Sequence, residues 1–210
     1  MDDLPTIALD PGPWQPPRAA ARRRTGYLVV SGMLLRRVLV GEGRSVELLG
    51  GDDLLLPARD EPASFTRVEW EVVNPSTLAV LDLRSSSPLA RRPGATSAIV
   101  NRAIDRSRFL AMQAAIMSIV GIEERLWILL WALAERWGRP VPGGAEIHLD
   151  VPQGILAEMV GARRPTVSQA LGELCDRGLL ESLGTGRWVL RGEPPRRSPP
   201  KTSRRSSPRK

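Results

Sequence analysis

Arg163, Arg164, Thr166, Ser168 and Gln169 fall within seven consecutive positions. Together they carry the polar groups that read a DNA duplex: a guanidinium can fork onto guanine O6 and N7, a carboxamide can pair with adenine, and hydroxyls can donate to phosphates. By spacing, Arg164 suits the guanine, Gln169 the adenine one helical turn later, and Thr166 and Ser168 the phosphates. Arg163 lies beside them, and Arg187, on a separate glycine-punctuated turn, is placed for backbone or minor-groove contact. The plainer reading is that these are solvated side chains in a chain that uses Arg throughout.

Such contacts need a scaffold that holds them on one face. The pattern predicts a strand over 147–149, a helix over about 153–160, a turn at Gly161-Ala162 and a helix over about 165–177. Gly178, a strand over 179–183, a turn over 184–187 and a strand over 188–190 follow. Two helices joined by a short glycine-containing turn and followed by a hairpin form a winged helix-turn-helix. Leu156, Ala157 and Val160 on the first helix then face Val167, Ala170, Leu171 and Leu174 on the second, which leaves the five polar residues outside. Pro165 fits the first helical turn, where a missing N–H costs nothing.

Upstream the period changes. Between 26 and 83 short alternating runs are broken at Ser31-Gly32, Gly41-Glu42-Gly43, Gly50-Gly51-Asp52 and Asn74-Pro75, as hairpin and turn chemistry requires, so this half reads as an antiparallel barrel or sandwich. Residues 1–18 hold five prolines and read as a flexible leader. After a Ser/Pro/Arg-rich linker over 85–96, residues 99–120 carry two apolar stripes at helical spacing. Ile99, Ala103, Leu110, Ala114 and Met117 form one stripe, and Phe109, Met112, Ile116 and Ile119 the other. A helix apolar on two faces needs two partners: the barrel can cover one, and the same helix of a second subunit the other, with Ala114 permitting close approach. Burial of both within one subunit is the alternative. Ile122, Leu126, Leu129, Leu130 and Leu133 mark a further helix, stopped by Gly138 and Pro140.

Composition narrows the function classes. The chain has 210 residues, 42% of them hydrophobic and 25% charged, which suits globular domains. The longest uncharged apolar run, 126–134, is far short of the roughly 18 residues needed to span a bilayer. The first residues lack a basic segment followed by an apolar one, so no secretory signal is read and a cytoplasmic location is expected. One Cys (Cys175) and one His (His148) leave no disulfide, no thiolate cluster and no ordinary metallohydrolase set, so no metal and no cofactor are expected. Gly50-Gly51-Asp52-Asp53-Leu54 imitates a diguanylate-cyclase signature in too short a chain, and no nucleophile elbow or phosphate-cradling loop is present. The protein is expected not to be an enzyme. Cys175 reads as a small residue near the packed side of the second helix, and Trp127, Trp131, Trp137 and Trp188 as core and interface mass. Of the net charge of +7, the segment 193–210 carries +6 and the remainder +1, so any nucleic-acid face on the folded body must concentrate its cations locally. The tail reads as disordered; it can add salt-sensitive DNA affinity or serve as a solubilising extension.

The run from Leu156 to Leu171, with Leu174 and Gly178-Leu179-Leu180, resembles the DNA-binding domain of Crp/Fnr-type transcriptional regulators. Gly26-Tyr27-Leu28-Val29-Val30-Ser31-Gly32 and Gly51-Asp52 resemble the β-roll of that family's cyclic-nucleotide-binding-like domain. Glu124-Arg125-Leu126 resembles the start of the helix after its dimerisation helix. The resemblance implies an α+β architecture: an antiparallel β-roll over 19–97 after the leader of 1–18, dimerisation and linker helices over 98–138, a winged helix-turn-helix over 139–192 and a basic tail over 193–210. It also implies a homodimer that binds double-stranded DNA at a palindromic operator and touches RNA polymerase, with an effector left unknown. The family's guanine-reading Arg falls on Arg164, its following Glu is Pro165 here, and its second Arg is Gln169. The ribose-binding Gly-Glu and phosphate-binding Arg-Ser/Thr-Ala of cyclic-nucleotide binders appear here as Leu55-Leu56 and Arg67-Val68-Glu69. A carboxylate at the phosphate site repels an anion, so gating by a cyclic nucleotide is not expected. A cyclic-nucleotide-responsive regulator and a module that keeps the fold without binding DNA are the alternatives.

Overall fold

Alternating apolar residues on either side of Gly32 and of Asn74-Pro75 build two strands far longer than the sequence predicts. In the structure, a computed structural model that describes residues 4–17, 25–56, 65–82, 84, 89–91, 93–184 and 186–195, β3 spans Thr25–Val40 and β6 spans Thr66–Asp82. They pair antiparallel along their length, with register shifts between Val29 and Leu34. Two of the four expected breaks, Ser31-Gly32 and Asn74-Pro75, therefore fall inside continuous strands and face each other, while Gly41-Glu42-Gly43 and Gly50-Gly51-Asp52 lie at turns. Gly32, at φ +84°, lies so close to β6 that a Cβ would stand 2.5 Å from the Pro75 carbonyl oxygen. The Met33 N–H donates to Asn74 Oδ1 at 2.7 Å. Proline and glycine here bend a ladder rather than end it, because a bulge accommodates the missing donor and bends the strand.

The expected flexible leader is also corrected. β1 (Thr6–Leu9) and β2 (Gly12–Trp14) both pair antiparallel with β6. Prolines are tolerated because these are edge strands. Trp14 repays the ordering by packing edge-on to Tyr27 and Trp70, with ring centroids 6.0 and 5.9 Å apart. With β4 (Gly43–Leu49) on β3 and the two-residue β5 (Leu54–Leu55) beside it, the sheet order is β1-β6-β3-β4. Its two faces alternate: Tyr27, Val29, Leu55, Leu78 and Trp70 fill one cluster, while Leu28, Leu54, Ala79 and Leu81 face the other way with Ile99 against them.

After a single 3-10 turn at Leu89–Arg91, α1 covers Ala95–Met117 and α2 covers Ile122–Trp137. α1 buries Phe109, Gln113 and Ile116, members or neighbours of the second predicted stripe. Of the first stripe, Ile99 packs against the roll and Leu110 is half-buried, whereas Ala103, Ala114 and Met117 are exposed. α2 is almost wholly interior, with Leu126, Leu129, Leu130 and Leu133 at most 1% exposed. Trp137 at its end closes on the Gly50-Gly51 turn and donates to the Gly51 carbonyl at 3.3 Å.

The C-terminal part holds a second sheet, order β7-β8-β10-β9, around two helices. β7 (Arg139–Val141) and β8 (Gly144–His148) form a hairpin that the sequence reading reduced to one short strand; β9 is Leu180–Ser182 and β10 Arg187–Arg191. α3 (Gln153–Val160) and α4 (Arg164–Asp176) lie within one residue of expectation. The core is continuous across the molecule: Leu35, Val46 and Leu48 of the roll share one cluster with α1, α2, α3 and α4. Residues 196–210 of the basic tail, and residues 85–88 and 92 of the predicted Ser/Pro/Arg linker, lie outside the described residues. Among the described residues, no helix is long and apolar enough to cross a membrane.

Candidate nucleic-acid interface

α3 ends because Gly161 takes the left-handed conformation, φ 65° and ψ 41°, and the Ala162 N–H turns back to the Ala157 carbonyl at 2.9 Å. The chain re-enters helix at Arg164 with Pro165 in the first turn. Val167, Ala170, Leu171 and Leu174 face Leu156, Ala157 and Val160, all at most 4% exposed. The same rotation puts Arg163, Arg164, Thr166, Ser168 and Gln169 on the outer face, every one exposed. Five of the six sequence-predicted residues therefore share one surface at the start of α4, where the helix dipole also favours phosphate. Arg163 and Arg164 meet no carboxylate among the described residues, so both guanidinium groups are available to an external anion.

Gln169 and Arg187 are already engaged. Gln169 Nε2 donates to Glu173 Oε1 at 2.8 Å one turn along α4. Since a carboxylate only accepts, Glu173 fixes which end of the amide turns toward it. Arg187, at the start of β10, gives Nη2 and Nε to Glu146 Oε1 at 2.9 and 3.3 Å. Arg139 Nη2 donates to the other oxygen of Glu146 at 2.8 Å. Those two cations, Arg139 first, hold the Glu146 carboxyl below the usual carboxylate range. The wing is thus an ion-paired lattice rather than a row of loose cations; Arg191 is similarly paired with Glu181 at 2.5 Å. The Pro142-Gly143 step is the turn signal that places Arg139 opposite Glu146, and the sequence reading passed over it.

Two further groups at this end of the molecule were not anticipated. Arg125 donates from Nη1 to the Val160 carbonyl at 3.0 Å and from Nε to the Ile119 carbonyl, tying the α1–α2 joint to the end of α3. Arg37 of β3 reaches Glu158 of α3, and those two residues are 121 positions apart. Their interaction holds the Arg37 guanidinium further into its protonated range. Cys175 is half-buried, and burial pushes its thiol above the usual range.

At the positions that carry the nucleotide contacts in the resembling family, Leu55 is fully buried within the apolar cluster of Tyr27 and Trp70. Arg67 points outward, 77% exposed, and pairs with Glu69 at 2.5 Å. These residues supply neither a ribose acceptor nor a free phosphate donor.

The geometry defines a class: a winged helix-turn-helix packed on an antiparallel β-roll through a long helix and its successor. Comparison with known proteins agrees. Residues 124–192 match the Crp-like helix-turn-helix domain family. The whole fold is shared with solved structures of low identity. One is a cyclic nucleotide-binding-domain protein of Listeria monocytogenes, with TM-score 0.71, 14% identity, and 89% of this chain and 88% of that one covered. Another is a double-substitution variant of CooA from Carboxydothermus hydrogenoformans, with TM-score 0.68, 20% identity, and coverage of 90% and 84%. A third is a CRP/FNR-family transcriptional regulator of Thermus thermophilus, with TM-score 0.58, 19% identity, and coverage of 89% and 93%. No curated protein sequence matches the chain. The protein therefore has the α+β fold of Crp/Fnr-type regulators, and its C-terminal third is a Crp-like helix-turn-helix domain.

Proposed function

We propose that the protein is a sequence-specific DNA-binding transcriptional regulator that works as a homodimer on a palindromic operator and is not gated by a cyclic nucleotide. The observation that carries this reading is the face of α4, where Arg163, Arg164, Thr166, Ser168 and Gln169 are all exposed over a fully packed inner side. Arg164 reads a guanine, Gln169 an adenine, and Arg163, Thr166 and Ser168 hold phosphates, with Arg187 on the wing at the flanking backbone. An RNA polymerase contact and a cytoplasmic location belong to the same reading.

Dimerisation is supported by α1. Val100 and Ile104 are 48% and 42% exposed, and with exposed Ser107, Ala111 and Ala114 they follow a heptad along the outer side. Ile104→Asp should shift sedimentation from dimer to monomer; an unchanged dimer would remove this face as the interface. The filled apolar cluster around Leu55 and the outward Arg67–Glu69 pair support the absence of cyclic-nucleotide gating. Calorimetry with cyclic AMP and cyclic GMP should show no heat of binding.

Selection of bound fragments from sheared genomic DNA at fixed near-physiological salt, run beside Arg164→Ala, tests the main reading. An inverted repeat with half-sites one helical turn apart, relaxed at one guanine in the variant, is the expected result. Identical unpatterned fragments from both proteins would refute it.

A further inference from the structure

A dimeric reader of two half-sites must present its recognition helices about 34 Å apart, so the orientation of each helix-turn-helix on its subunit decides which spacing is read. The apolar contact between the roll and the helices is non-directional and resists sliding weakly. Arg37 adds direction. From near the C-terminal end of β3 it forks onto Glu158 of α3, Nε to Oε2 at 2.7 Å and Nη2 to Oε1 at 3.0 Å, while its Nη1 donates to Glu71 Oε2 of β6 at 2.6 Å. A two-pronged guanidinium–carboxylate pair fixes both a distance and a plane. Arg44 stands 3.6 Å from the same Glu158 carboxylate, so two cations and two carboxylates balance. The side chains of Arg37 and Glu158 are 18% and 22% exposed, largely out of water. A second tie runs parallel: Asn74 Nδ2 of β6 donates to the Asp150 carbonyl just before α3, at 3.2 Å. None of these groups lies on the outer face of α4.

Building on the DNA-binding reading above, we propose that Arg37, Glu71 and Glu158 are positioning residues that lock the helix-turn-helix to the β-roll and thereby set the half-site spacing the dimer accepts. The roll acts in this reading as a fixed bracket for α3. Base recognition stays with α4, and spacing recognition belongs to the latch.

The test uses the full chain and operators that carry the selected half-sites with one to four base pairs added to or removed from the spacer. The wild type should show one sharp optimum, with affinity falling tenfold or more two base pairs away. Glu158→Gln and Arg37→Met should flatten that penalty to about threefold or less. Base preference within each half-site, and affinity for a single half-site, should stay as in the wild type. Glu71→Gln, which removes one negative charge beside Arg37 and keeps the fork, should fold whatever the others do and give an intermediate profile. Variants that melt at lower temperature but keep the wild-type spacing profile would overturn the proposal and leave the cluster a stability element. A wild type that binds half-sites with no spacing preference would also overturn it while sparing the DNA-binding reading. A wild type that selects no sequence at all would overturn both.

Discussion

Gly184 and Gly186 form a matched pair within the wing turn. Both hold left-handed backbone, φ 82° and 73°, but a Cβ at Gly184 meets open space, whereas one at Gly186 would stand 2.8 Å from Asp150 Cα and 2.9 Å from the Leu149 carbonyl oxygen. Replacing either by Ala incurs the left-handed penalty of roughly 1 kcal/mol. Gly186→Ala must also push the turn away from backbone that cannot rotate aside. That movement breaks the hydrogen bond in which the Leu149 N–H donates to the Gly186 carbonyl at 2.7 Å. The lost bond contributes about 1 kcal/mol and the overpacking about 1–3 more. Gly184→Ala should thus cost about 1 kcal/mol and Gly186→Ala about 3–5. With roughly 2–4 °C of Tm per kcal/mol for a chain of this size, the two should separate by about 4–16 °C in a thermal melt. Because the displaced turn carries Arg187, only Gly186→Ala should also weaken DNA binding. Equal melting temperatures, or a larger loss at Gly184, would refute the reasoning.

Trp14→Ala should destabilise the fold by about 2 kcal/mol, as expected for emptying a half-buried aromatic site, and chemical denaturation would read it; no change would mean that β1 and β2 are dispensable. Glu146→Gln frees Arg139 and Arg187 for phosphate, so the log–log salt slope of DNA binding should steepen by about one per protomer; an unchanged slope would mean that the wing stays off the DNA. Asp53 is buried beside Arg136, and burial raises its carboxyl above the ordinary value despite that cation. The folded protein then takes up this proton before the unfolded chain does. Wild type should therefore gain stability over Asp53→Asn as the pH falls from neutral through the raised pKa toward the ordinary carboxylate value. Parallel pH series of melts would show a constant gap instead if Asp53 does not titrate in that window.

The helix-turn-helix was legible because each signal in it is local: an apolar spacing of three and four, a glycine at the turn and a proline in the first turn of α4. Local rules place α3 and α4 within a residue and put all five α4 candidates on the outer face. The roll was less legible because its punctuation is ambiguous in one dimension. Gly32 and Asn74-Pro75 carry the same chemistry as hairpin turns, and only the fact that they lie opposite each other across β3 and β6 makes them bulges. Pro5 and Pro13 argue against central strands and say nothing against edge strands, so β1 and β2 escaped notice.

What the sequence withheld at the interface has a common physical form. Arg187 looks like a free cation until the β7–β8 hairpin brings Glu146 across from it, and Arg37 looks like surface until α3 delivers Glu158 from 121 residues away. In a chain with 30 basic and 23 acidic residues, most of the described arginines find a carboxylate, and pairing is decided by sheet register and domain packing rather than by sequence distance. The residues to watch are therefore the few cations that the fold leaves facing solvent on an ordered element. Arg163 and Arg164 belong to that group, standing where a helix N-terminus already draws negative charge. The ion pairs of Glu146 and Glu158 neutralise and orient the cations around them, whereas Arg163 and Arg164 at the start of α4 meet no carboxylate among the described residues.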